Sequence, residues 1–504
     1  MRSRPRIARS LFLLALIAVP LRSQEQAPPA ERLGSVHFTT SCDSRVTAEF
    51  DRAIALLHSF EFATAVRSFE TVIASDSTCA MAWWGIALSR WTNPMTVNRR
   101  SPASIAGGAA AVRSAERLRA HATDRERAYV AAVGELYRAD ERPDQRARVI
   151  EYEKAMASVT AAYPADTEAM ILHALALVGA AAPEDKTYAN QLRAGAILEE
   201  IFAKKPAHPG LAHYIIHAYD VPALAGRAAE AANRYAQIAP SAAHALHMPS
   251  HTFTRIGRWD DSERTNRRSM ETAIPAGQLA EALHAADYML YADLQLGRDS
   301  AAAELLSRIP ALEARFDPKA VTGAAPGSAG VFALAAMPAR FALERNAWSE
   351  ASSLPVRHSD FPYTEAMTYF AHAIGAARDG QPALASGALD SLVAIRLRLV
   401  ASGESYWAEQ VAIQTLAARA WTEQAAGRST QAVELLREAS AREAATEKAA
   451  VTPGPLLPAR ELLADLLLTL GHAAEAVVEY EQVLAIEPGR RRSITGLARA
   501  QALR

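Results

Sequence analysis

The sequence predicts an all-α protein whose helices pair into hairpins and stack into a curved solenoid. Three observations carry that expectation. Apolar residues recur at three- and four-residue spacing along nearly the whole chain, as in helices that bury one face, while period-2 alternation is confined to 35–40. Gly, Pro and Asp/Asn interrupt the pattern about every dozen residues, the rhythm of helical hairpins and not of long bundle helices. The chain also resembles itself at a spacing of about 34 residues, so each unit is one hairpin that buries its apolar face only against its neighbours.

Residues 1–23 have the form of an export signal: Arg2, Arg4, Arg6 and Arg9 precede an apolar run from Leu11 to Leu21, and a polar RSQEQ follows. The run is too short to span a bilayer comfortably, and no later stretch reaches the roughly 18 uninterrupted apolar residues a span requires. The expected mature chain begins near Gln24, carries no membrane span and is periplasmic or secreted. An extended segment is expected over 24–48. Cys42 lies too far beyond the apolar run for lipid attachment. With Cys79, the only other cysteine, it is expected to form a disulfide tying the entry segment to the first helices, the alternative being two buried free thiols. Neither cysteine has the spacing of a zinc knuckle, a redox pair or a haem attachment site.

A formal net charge of −1 argues against a phosphate-tracking surface, so no nucleic-acid partner is expected, and Arg490, Arg491 and Arg492 together suggest a solvated helix start. Half the residues are hydrophobic, enough for a large core. The solenoid is expected over 49–504, clearest near 49–112, 209–310, 366–400 and 413–504. Its last units set the frame: Leu463, Ala464 and Leu467, then Gly471, Ala476, Tyr480, Val483 and Pro488. The same frame fits Ala420, Gly427, Ala432, Leu436 and Ala439, then Gly380, Ala385 and Leu389, then Gly257, Ser262 and Pro275, and near the start Ala53, Ala65, Phe69 and Trp83. Small residues let neighbouring helices approach, and larger apolar ones fill the space between hairpins. Residues 92–165 fit poorly, and Gly297 follows Gly257 by 40 residues. The glycine-proline stretches 101–110, 317–330 and 452–458 suggest longer connections.

This pattern closely resembles the tetratricopeptide repeat (TPR). The resemblance implies a right-handed α-α superhelix whose first helices line a concave groove, and a protein or peptide partner held in that groove.

The histidines stand out against this frame. Numbered from the first helix of each repeat, His213 and His247 both take position 5, and His217 and His251 both take position 9. Position 2 holds Gly210, then His244, then His284, and the third repeat adds Asp287 at position 5 and Tyr291 at position 9. Steps of three and four keep these positions on one helix face. The candidate metal ligands are therefore His213, His217, His244, His247, His251, His284 and Asp287, with Asp220 at position 12 as a supporting partner. Neutral imidazole offers one lone pair to a divalent cation, and histidine pairs on facing helices can supply several ligands. Without thiolates, Zn, Cu, Fe and Ni are favoured and Mn remains open. The same side chains can instead form a structural hydrogen-bond network. The discriminating expectation is that His213, His217, His247 and His251 converge on one point. Pro249 should kink its helix or make it start late, near Met248. Glu461 and Asp465, at positions 5 and 9 of the last repeat, suggest an exposed carboxylate pair on the groove.

G-x-S-x-G, G-x-x-x-x-G-K and H-E-x-x-H are all absent, so any enzyme here would be metal-based. The stretches HYIIHAYD and HALHMPSH resemble those of exported bacterial TPR proteins. Two functions follow: an exported scaffold that binds a partner in its groove, with histidines that hold a metal or brace the fold, or a metal-dependent hydrolase or oxidoreductase. A closed four-histidine shell favours the first, and three ligands with an open position favour the second.

Overall fold

The computed structural model describes residues 31–96, 100–138, 145–182 and 184–504, so the expected export signal lies outside the described residues. Among those residues the regular structure is helical, with no strand. It is an all-α solenoid of TPR-like hairpins: Leu279–Gln295 pairs with Asp299–Glu313, Pro362–Arg378 with Pro382–Ala401, Ser405–Ala425 with Ser429–Ala445, and Ala459–Thr469 with Ala473–Ile486. The residues that set the repeat frame are those that pack. In the last pair, Leu463, Ala464 and Leu467 are buried on the first helix and Ala476, Tyr480 and Val483 on the second. The turn between them places Gly471 at φ 81°, a left-handed conformation that a side chain would oppose.

The entry segment runs without regular structure past the turns that precede Pro209–Ala218 and Ala243–His247. Ser35 N donates to Ala207 O (2.9 Å) and Arg32 N to Ser241 Oγ (2.8 Å). Its end is fixed by the Cys42–Cys79 disulfide, placed immediately before the helix Ala80–Trp91. The two cysteines are 37 residues apart, so closing this loop in the unfolded chain contributes about 4 kcal/mol. Replacing both by serine should lower the urea midpoint by that equivalent without changing the far-ultraviolet circular dichroism of the native state.

The C-terminal arginines and carboxylates differ from expectation. Arg490 is fully buried, not solvated, and donates to Glu344 Oε1 (2.7 Å), Glu461 Oε2 (2.7 Å) and Tyr291 Oη (2.7 Å). Glu461 is equally buried, not half of an exposed pair, and also accepts from Arg492 Nε (2.8 Å) and Ser493 Oγ (2.6 Å), while Asp465 accepts from Arg492 and Tyr480. The cause is that the final helix, Arg491–Ala502, also packs against Leu279–Gln295, which encloses its N-terminal end. Charges survive there because each is paired within the cluster.

Contacts of this kind bring two of the three expected connections, those around 317–326 and 452–458, back over the central repeats, whereas 101–110 is mostly helix, within Pro102–Arg117. Tyr288 Oη donates to Thr452 O (2.8 Å), Lys448 Nζ to Asp220 Oδ2 (2.9 Å) and Arg340 to the carbonyls of Gly454 and Pro455. Ala325 N donates to Glu281 Oε2 (2.9 Å). The histidine-bearing face is thus roofed by the chain's own connections.

Candidate metal centre

The histidines come from the first helices of three successive repeats: Pro209–Ala218, the pair Ala243–His247 and Pro249–Arg255, and Leu279–Gln295. Pro249 divides the middle one. It is the first residue of its helix, where a missing N–H breaks no intrahelical bond. All six histidines are buried, from 0% exposed at His213 and His247 to 8% at His217.

They assemble into two groups of three, not around one point. His213, His217 and His244 each offer a ligand atom within 4.8 Å of the others, and so do His247, His251 and His284. The second trio is the first moved on by one repeat: positions 5 and 9 of one helix meet position 2 of the next. Within the pairs, the Nε2 atoms of His213 and His217 are 3.1 Å apart and those of His247 and His251 are 3.0 Å apart. Two nitrogens at this separation subtend roughly 95° at an ion 2.0–2.1 Å from each, an ordinary angle between neighbouring metal ligands.

On four of the six rings Nδ1 is engaged with oxygen. His213 Nδ1 donates to the His58 carbonyl (2.6 Å), His247 Nδ1 to Asn266 Oδ1 (2.7 Å), His251 Nδ1 to Asp220 Oδ2 (2.8 Å) and His244 Nδ1 to Glu281 Oε1 (3.1 Å). The Asn266 amide has its own direction fixed, because Nδ2 donates to Ser262 O (2.7 Å). A proton held at Nδ1 leaves Nε2 with its lone pair. His247 and His251 therefore face each other with two lone pairs at 3.0 Å. His244 Nε2 and His284 Nδ1 are buried with no hydrogen-bond partner.

Burial opposes protonation of five of these rings, His213, His217, His247, His251 and His284. Burial, then the neighbouring His251, pulls His247 down to about 3, and burial, then Lys448, pulls His251 down to about 4 against the opposing pull of Asp220. Burial followed by neighbouring imidazoles holds His213, His217 and His284 well below the usual histidine value. Behind the second trio, burial would raise Asp220, but Lys448, His251 and Arg255 together hold it well below the usual carboxylate range. Burial pulls Lys448 itself down to about 8. Aromatic rings wall the site: Phe60 stacks on His217 and His244, and Tyr288 on His251 with its centroid 5.0 Å away. Phe60 sits at φ 57°, a left-handed conformation that packing must hold against its intrinsic strain.

A cavity of about 780 Å³ opens over the trios and is bordered by His217, His244, His251 and His284. Asp220 accepts from Nδ1 of His251, one of the candidate ligands. Asp287 stands apart from both trios, with Oδ1 3.4 Å from Arg340 Nε and the carboxyl raised by burial against the pull of that arginine. Sequence reasoning missed Asn266, Glu281 and the His58 carbonyl, which lie outside the repeated positions. His58 is itself held by Glu168 (2.9 Å), which also accepts from His208 Nε2 (2.9 Å). These two imidazoles grip one carboxylate, bracing the carbonyl that orients His213.

No protein-family model matches the sequence, and no curated protein matches it. Among solved structures, the chain is similar to yeast Tom70 at a TM-score of 0.38 and 12% identity, over 92% of this chain and 96% of that one. The APC/C hetero-tetramer Cut9-Hcn1 aligns at a TM-score of 0.36 and 14% identity, over 90% and 76% of the two chains. The TPR domain of P58(IPK) aligns at 0.21 and 11%, over 85% and 99%.

Proposed function

We propose that each trio holds one transition-metal ion and that the protein is a metal-dependent enzyme working in the cavity the trios border. The observation that carries this reading is the facing pair of bare Nε2 atoms of His247 and His251. Moving a proton between them would require His247 to face the Asn266 oxygen, or His251 to face the Asp220 carboxylate, without a hydrogen. Protonating either ring is opposed by burial. A metal cation accepts both lone pairs and leaves both Nδ1 hydrogen bonds in place. All-imidazole donor sets suit Zn, Cu, Fe and Ni better than Mg, Ca or Mn.

Three ligands leave an open coordination position, where a bound ion supplies Lewis acidity or activates water or dioxygen. That favours a hydrolase or an oxidoreductase. A peptide or protein lying along the groove is the weaker reading for this site, because the trios are buried beneath the connections and accessible through the cavity alone. Partner recognition by the outer faces of a TPR-like scaffold is compatible with the enzyme reading. The disulfide and the expected leader support a periplasmic or secreted location.

Elemental analysis of untagged protein reconstituted with Zn(II) or Cu(II) should find two ions per chain. His244→Ala and His284→Ala should each reduce the count to one, since each removes a ligand from a different trio. A wild type without stoichiometric metal, or variants that retain both ions, would overturn the proposal.

A further inference from the structure

We infer that the cavity over the histidine trios takes a small organic anion, a carboxylate or phosphate on an apolar body. The inference deepens the enzyme reading by naming its substrate class, and it rests on that reading only for what happens at the histidines, not for binding.

The cavity wall has a one-sided charge. Arg67, Arg90, Arg100 and Lys319 line it, and among the described residues no Asp or Glu does. Several enclosed guanidinium groups elsewhere are paired with carboxylates, Arg255 with Asp220, Arg125 with Asp166, and Arg490 with Glu344 and Glu461, whereas Arg378 lies against the Trp348 and Trp421 rings. The cavity arginines meet only neutral groups among the described residues. Arg67 donates to Thr64 Oγ1 (3.0 Å). Arg100 donates to Gln145 Oε1 (2.9 Å) and to the Trp91 and Asn93 carbonyls, with its guanidinium 4.0 Å from the Trp91 ring centroid. Arg90 lies across the helix Pro102–Arg117 at Gly107, where a built Cβ would stand 3.0 Å from Arg90 Cδ.

Arg100 is the most telling of the three. It is a desolvated cation held by carbonyl oxygens, with no carboxylate paired to it among the described residues, and burial pulls its pKa down to about 9. A partly buried cation without a counterion is unfavourable until an anion arrives, and planar guanidinium groups match carboxylate and phosphate oxygens in pairs. The rest of the wall is apolar, with Phe62, Met95, Val321, Phe361 and Val451 among its residues. Its volume suits a ligand of drug-like size, and the division into apolar body and few fixed polar groups is that of a small-molecule site. Bound metal at the floor would add positive charge and strengthen the same preference.

The test is calorimetric titration of metal-free and metal-loaded protein with octanoate, octyl phosphate and the neutral octanamide. The acids should bind metal-free protein at least tenfold more tightly than the amide, with affinity falling as salt rises. The tighter of the two acids identifies the head group. R90M and R100M should each weaken acid binding about tenfold and leave the amide unchanged; R67M, at an exposed position, provides a third variant should either of the others melt early. Equal binding of acid and amide overturns the inference. So does acid binding that appears only in metal-loaded protein and survives all three arginine substitutions, since the anion is then simply a metal ligand. Acid binding that depends on the arginines in a protein that never takes up metal leaves the inference standing and removes the metal reading.

Discussion

Metal-free protein is expected to lose most of its stability between pH 7.5 and pH 5, and metal-loaded protein is not. His213, His217, His247, His251 and His284 all have folded-state pKa values depressed below the ordinary 6.5, chiefly by burial. A depressed base favours the folded state fully above its unfolded pKa, and that stability disappears as pH falls from 6.5 toward the folded value, here about 3 for His247 and about 4 for His251. Within that window the unfolded chain binds protons that the folded chain refuses. At pH 5 His247 and His251 each lower the stability by about 2 kcal/mol relative to pH 7.5, and His213, His217 and His284 act in the same direction. The first two alone amount to a large part of the stability of an ordinary domain.

Thermal melts of chelator-treated protein across this range should therefore show a steep fall in Tm, with unfolding near room temperature at the acid end. Reconstitution with Zn(II) should move the fall to lower pH, because a cation bound to the lone pairs competes with protons and stabilises the fold that holds it. His251→Leu should flatten the slope in metal-free protein by removing one of the titrating groups. A Tm that stays level from pH 7.5 to 5 in metal-free protein would contradict the neutral, buried state of the trios.

The hairpins and the identity of the six histidines could be read from residue spacing because both are properties of register. Glycine at each turn, alanine at each close approach and histidine at positions 2, 5 and 9 recur whatever the neighbouring helix does. How the histidines divide could not be read, since it depends on the offset between adjacent helices. Position 2 of one repeat reaches positions 5 and 9 of the repeat before it, so the two pairs recruit separate third members, with the His217 and His251 ring centroids 6.3 Å apart between the trios. Asp287 shows the limit from the other side. It occupies position 5 of the third repeat, but it lies at the end of the stripe, and Arg340 from the helix Gly327–Glu344 takes its carboxylate. Arg490 and Glu461 depart from the sequence expectation for a related reason. A local run of charge suggests solvent, and only the return of the last helix onto Leu279–Gln295 buries it. Of the partners that hold the ring nitrogens only Asp220 falls at a numbered repeat position; Asn266 lies on the second helix Trp259–Ala273, Glu281 at the start of Leu279–Gln295 and the His58 carbonyl at the end of Thr47–His58, so no spacing marks them.

Replacing Asp220 by Asn should damage stability and metal binding together, and a second substitution should separate the two effects. Asp220 does two jobs at one carboxylate. It accepts from His251 Nδ1, and it is the counter-charge for Lys448 (2.9 Å) and Arg255 (3.1 Å). The neutral amide leaves two cations buried with too little negative charge, a defect of about 3–5 kcal/mol. It also replaces a carboxylate behind a ligand imidazole by a weaker acceptor, which typically lowers metal affinity 10–100-fold. In Asp220→Asn/Lys448→Met, one of the stranded cations is gone, so denaturant unfolding should recover a large part of the lost stability. The metal affinity of the second trio should stay low, because His251 still lacks its carboxylate. Competition with a chelator should show this as one tight and one weakened site, the first trio being oriented independently by the His58 carbonyl and Glu281. If stability and affinity recover together, the carboxylate acts on the metal only through the fold. If affinity stays low while the fold recovers, the His251–Asp220 hydrogen bond is what tunes the site.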